Sequence, residues 1–109
     1  MKCIVLIALF LSCKLCAFVS ETQYENDQVH VAKITISPYE KIGVHRDEYP
    51  HLVIALNDGI ITRIEDDGRV VDVYFPKNRA VFRPIDLSLH NSFNKSAEPL
   101  ELIIIRLKK

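Results

Sequence analysis

The sequence predicts an all-β domain, and three observations carry that expectation. Short runs rich in β-branched or apolar residues recur at close spacing from residue 29 onward. Between them stand turn signals built on Asp-Gly, Asn and Pro. No stretch of the body keeps a helical period. Seven or eight short strands in so small a chain read as two antiparallel sheets packed as a sandwich or barrel.

Taken in order, residues 1–20 form a unit of their own. Met1-Lys2 gives a positive start, and an apolar or small stretch runs from Cys3 to Cys13. Lys14 follows, then Leu15 to Val19. This is the layout of a secretory signal peptide, too short and too interrupted for a membrane span. It implies a secreted or periplasmic protein with no membrane insertion of the mature domain. Ala17 and Ser20 are the small residues nearest the expected cleavage point. The alternatives are an uncleaved anchor and a lipidated Cys13. Cys3, Cys13 and Cys16 all lie in this leader, so the body must hold itself by packing alone. Residues 21–28 are polar and acidic without periodicity, and read as an N-terminal arm.

The domain proper is expected over 29–109. Val29 to Ser37 alternates Ile34 and Ile36 against Lys33 and Thr35, and Pro38 ends it. His51 to Leu56 is nearly continuous in apolar residues, suited to a strand covered on both sides. Asn57-Asp58-Gly59 reads as a hairpin turn, Ile60 to Glu65 as the returning strand, and Asp66-Asp67-Gly68 as a second tight turn. Arg69 to Phe75 follows. Asn78 is the expected left-handed residue of the next reversal. Ala80 to Arg83 is a short strand, Pro84 to Ser88 a loop, and Leu87 to Phe93 a further strand. Leu100 to Leu107, the most apolar run, belongs in the middle of a sheet.

Composition narrows the function classes. The full chain is 49% hydrophobic and 26% charged, a composition that argues for a folded rather than a disordered body. After residue 20 it carries 12 basic and 14 acidic residues, a net of −2. That balance, without a basic run, argues against nucleic acid as a partner. No Ser-His-Asp set or glycine-rich phosphate loop stands out. The chemistry-bearing residues are histidines. If the segment from Gly43 to His51 is extended, His45, Asp47, Tyr49 and His51 share one face. His90 comes much later, in His90-Asn91-Ser92-Phe93-Asn94.

On these residues the sequence resembles the cupins, small double-sheet jelly-roll barrels built from two motif stretches joined by a variable hairpin. The first stretch of the family is His-x-His, three or four residues, Glu, six residues, Gly. Here His45-Arg46-Asp47 stands at His-x-His, His51 at the Glu, and Gly59 comes one residue late. The second is Gly, five residues, Pro, x, Gly, two residues, His, three residues, Asn. Asn78 takes its first Gly, Pro84 its Pro, and His90-x-x-x-Asn94 its end, with one extra residue before His90 and no second Gly. The resemblance covers about residues 38 to 94. It implies a metal set of His45, Asp47, His51 and His90, in which carboxylate and imidazole have exchanged places. Three imidazoles and a carboxylate suit a divalent Fe, Mn, Ni or Zn ion. It implies a small-molecule ligand in the barrel, with His45, His51 and His90 as hydrogen-bond partners. Tyr49 and Phe82 are the aromatic candidates to line its pocket, although aromatic residues in strands more often belong to the core. It also implies a homodimer, with Val29 to Ile36 as the edge strand to lend. Three functions stay open at this stage: a ligand-binding module, a metal-dependent oxygenase or isomerase, and a non-catalytic structural or interaction domain.

Overall fold

A computed structural model describes residues 18–109. These fold into nine strands: β1 (Phe18–Glu25), β2 (Val29–Ile36), β3 (His45–Asp47), β4 (His51–Ala55), β5 (Gly59–Glu65), β6 (Val70–Phe75), β7 (Ala80–Arg83), β8 (Asp86–Phe93) and β9 (Leu100–Leu107). They form two antiparallel sheets, ordered β1-β2-β9-β4-β7 and β3-β8-β5-β6. The sheets face each other as a double-sheet jelly roll and do not close into one continuous barrel.

Period-two alternation explains the core. Ala32, Ile34 and Ile36 of β2, Leu100 and Leu102 of β9, and Val53 and Ala55 of β4 are buried on the inner face of the five-stranded sheet. They meet Ile61 of β5 and Phe75 of β6 from the other sheet. As expected from its composition, β9 lies at the centre of the larger sheet, bonded to β2 along its whole length and to β4.

Of the expected leader only residues 18–20 are described, and they belong to β1. Four expectations are corrected. Much of the expected polar arm, residues 21–25, is also β1, paired antiparallel with β2. Residues 19–25 are exposed on both faces, so this strand carries no apolar period to betray it. That pairing also makes β2 an interior strand. The edge is β1, so strand addition by a second copy would use β1 and not Val29 to Ile36. Asn57-Asp58-Gly59 is no hairpin: β4 and β5 lie in different sheets, and Gly59 keeps an ordinary negative φ. Its lack of a side chain serves packing instead, since a Cβ there would run into the Leu100 side chain. Finally, β8 begins at Asp86, inside the expected loop. The other two turn assignments match the structure, with Gly68 at φ 91° joining β5 to β6 and Asn78 at φ 61°.

Candidate metal centre

β8 breaks the usual rule for a half-buried strand. Its inward residues are polar, with His90 3% and Ser92 7% exposed, while Leu87 and Leu89 face solvent. β3 pairs with this strand and sets His45 directly opposite His90. Cross-strand partners share a face, so the two imidazoles meet edge to face with ring centres 4.5 Å apart. Forty-odd residues of intervening chain are thus folded back as the histidine pattern required.

The register then slips. Asp47 faces Asp86, so three β8 residues between the paired positions oppose one on β3. Such a bulge re-aims side chains. Here it brings Asp47 between the rings, Oδ1 3.6 Å from His45 Nε2 and Oδ2 3.2 Å from His90 Nε2. The bulge is held by its own polar groups. Asp86 Oδ1 accepts from Ser88 N at 3.1 Å and Ser88 Oγ at 2.6 Å. Asp86 Oδ2 accepts from Arg63 at 2.8 Å, and Arg46 Nε donates to Leu87 O at 2.9 Å.

Backbone carbonyls orient the rings. His45 Nδ1 lies 2.7 Å from Gly43 O, His90 Nδ1 3.0 Å from Ser88 O, and His51 Nδ1 3.0 Å from Tyr49 O. A carbonyl only accepts, so each Nδ1 must carry the proton and donate it. In the neutral ring Nε2 is then an unprotonated lone pair, the form a metal takes, with the second-shell contact already made. Gly43 does this for His45 from a φ of 115°, open to glycine and strained for other residues, with its own N–H donated to Asn91 Oδ1 at 3.0 Å.

The donor atoms of His45, Asp47 and His90 all lie within 4.8 Å of one another. Two donors about 2.1 Å from one ion stand roughly 3.0–3.4 Å apart at angles near 90–110°. The two nitrogen–oxygen separations, each to a different oxygen of Asp47, lie near that range, which makes the three residues a candidate set for a shared divalent cation. His51 is not part of this group. It lines the same interior recesses from β4, on the opposite sheet, and so leaves the expected four-residue set at three.

The recess beside the triad, about 100 Å³, is walled by Val53, Ile61, Phe75 and Leu102, with Arg63, Arg83 and His51 as its other charged or imidazole groups. A second, about 270 Å³, shares His45, Asp47 and His51 and adds Arg46 and Arg106. Tyr49 and Phe82 line neither. Tyr49 sits in the bend between β3 and β4, 43% exposed, and Phe82 points outward, 57% exposed. On β7 the inward residues are Val81 and Arg83, one position to either side of Phe82. Arg63, Arg83 and Arg106 were missed by the histidine-centred reading. Part of their signal was there: Arg106 ends the inward series Leu100, Leu102 and Ile104, and Arg83 is in step with the inward Val81.

Asp86 anchors a pH prediction. Hydrogen bonds from Ser88, then from Arg63, hold its carboxyl well below the ordinary carboxylate range. A depressed carboxylate contributes stability above its unfolded pKa of about 4, and loses it as pH falls through the folded value. Wild-type stability should therefore fall as pH drops below about 4. Asp86→Asn should lower stability at pH 7 and flatten that acid limb, as read from urea midpoints between pH 7 and pH 2.

No family model matches this sequence, and no curated protein does. Solved structures do. The chain superposes on a cupin domain from Bordetella pertussis Tohama I with a TM-score of 0.77 at 22% identity, covering 85% of this chain and 95% of that one. A polyketide cyclase from Streptomyces resistomycificus aligns with TM-score 0.64 at 15% identity, over 85% of this chain and 66% of that one. A sugar phosphate isomerase described as a cupin superfamily protein, from Silicibacter pomeroyi, aligns with TM-score 0.58 at 14% identity, over 86% and 61%.

Proposed function

We propose that this chain, which has the cupin fold, is an exported small-molecule-binding protein whose ligand meets a divalent metal held by His45, Asp47 and His90. One observation carries the reading. Two imidazoles with Nδ1 committed to carbonyls turn Nε2 toward one carboxylate, beside a recess that joins an apolar wall to arginine and imidazole groups. Recesses of that kind, with a few convergent polar groups, are the usual form of a small-molecule site. A bound cation would supply Lewis acidity toward an oxygen of the ligand.

The chain's own residues do the rest. The Asp86–Ser88 bonds fix the bulge from which the Ser88 carbonyl holds His90. Val53, Ile61, Phe75 and Leu102 supply the apolar wall of the recess. Three protein donors leave coordination positions for a ligand, and the set suits Fe, Mn, Ni or Zn. Export is supported by the leader's composition and by the confinement of every cysteine to it. Cleavage after Ala17 would leave β1 whole, whereas cleavage after Ser20 would remove its first three residues.

The test offers each of the four metals to purified, tag-free protein, removes the excess by gel filtration and measures retained metal and melting temperature. At least one metal should be retained at about one ion per chain and raise the melting temperature. His45→Ala should lose it, and His51→Ala should keep it. Retention of none of the four would sink the metal half of the reading.

A further inference from the structure

The inner face of the larger sheet ends in a basic row. One register level crosses all five strands as Glu25 (β1), His30 (β2), Arg106 (β9), His51 (β4) and Arg83 (β7), each the direct cross-strand partner of the next. Below the four basic positions the same face is apolar, with Ala32, Ile104, Val53 and Val81 next in line. The row therefore stands where the hydrophobic core gives way to the recesses beside the metal triad.

Arg106 and Arg83 flank His51 on this row, and little within the fold neutralises either charge. Glu25 is taken by Lys108, 2.6 Å away. Arg63 is already matched by Glu65 and Asp86 at 2.9 and 2.8 Å. Asp47 sits between His45 and His90. Among the described residues no carboxylate forms an ion pair with Arg83 or Arg106. Arg106 does have one fixed contact, with NH1 3.0 Å from His30 Nδ1. Arginine can only donate, so His30 accepts there, and its Nε2–H is left to donate to Thr22 Oγ1 at 3.0 Å. His30 thus steers the guanidinium as a neutral ring while the other guanidinium donors stay uncommitted.

We propose that the ligand is a small oxyanion, a carboxylate or a phosphate, seated between the triad and the Arg83–His51–Arg106 row. Guanidinium forks recognise both groups through paired, charge-assisted hydrogen bonds. The recess lined by Arg83 and the one lined by Arg106 both border the triad, so one small anion can reach a metal and an arginine together. This deepens the ligand-site reading and rests on it, but not on occupancy by metal.

The experiment uses chelator-treated full-length protein, so a failed metal assay leaves it intact. Calorimetry measures malonate, inorganic phosphate and neutral malonamide on wild type and on an Arg83→Gln/Arg106→Gln double variant. At least one of the two anions should bind wild type, malonamide should not, and the double substitution should weaken the anion at least about tenfold. Malonate or phosphate alone identifies the carboxylate or phosphate class. Because neither arginine forms an ion pair among the described residues, the double variant's melting temperature in chloride buffer should be no lower than wild type. If it fails to fold, wild-type melting decides: either anion must raise the melting temperature above chloride of equal ionic strength. Absence of binding by both anions, equal affinity in the double variant, or no such rise in melting temperature overturns the proposal.

Discussion

Replacing Asp47 by asparagine should weaken metal binding at least about a hundredfold, a loss of roughly 2.7 kcal/mol, while the metal-free fold survives. The side chain keeps its shape, but the only carboxylate of the triad becomes neutral and one of its two oxygens becomes an NH2 group. Those oxygens stand 3.6 and 3.2 Å from the two Nε2 atoms, where a shared cation would have to lie. Loss of the anionic donor removes its attraction to a doubly charged ion in a partly dry site, which screening by water cannot replace. A competitive chelator titration reads the affinity, and circular dichroism melting of the stripped protein checks the fold. Unchanged affinity in Asp47→Asn would place the metal elsewhere.

The second large effect is on stability. Asn94→Ala should cost about 3 kcal/mol or more, measured by urea unfolding. Asn94 is 1% exposed. Its Nδ2 donates to Ile36 O at 3.1 Å, Ser37 O at 3.3 Å and Glu98 O at 2.8 Å. Its Oδ1 accepts from Ser96 N at 3.1 Å and Ser96 Oγ at 2.9 Å. One amide therefore ties the end of β2 to the turn that leads from β8 into β9. Alanine deletes all of these bonds and takes the amide from Ile36 O, the carbonyl of a buried residue, whereas Ser37 O and Glu98 O keep bonds from Glu40 N and Ser96 Oγ. An unpaired buried carbonyl costs about 1–3 kcal/mol, and the other lost bonds add about 1 kcal/mol each. A loss under about 1 kcal/mol would mean that water replaces the amide.

Much of the architecture was legible because alternation is local. The runs Val29–Ile36, His51–Ala55 and Leu100–Leu107 announce strands by their own composition, and Gly68 and Asn78 announce turns through the φ values only such residues take cheaply. The candidate site was legible in part, through His45, Asp47 and His90 and the cupin-like spacing between them. Phe82 was misread because aromatic character was weighed above phase. Its neighbour Arg83, in step with Val81, is the inward residue.

What the sequence determined by itself was the strand class and the apolar composition that suits β9 to the middle of a sheet. That His45 and His90 share a site was an expectation carried by the cupin resemblance, which their cross-strand pairing meets. Tertiary structure alone decided that β1 forms the edge, that β4 and β5 part into different sheets, and that His51 stands apart from the triad. It alone also aligned His30, Arg106, His51 and Arg83 at one level. The reason is physical. A strand's period tells which side chains share its face, but which strand lies beside it, and in what register, is settled only when distant segments compete to bury those faces together.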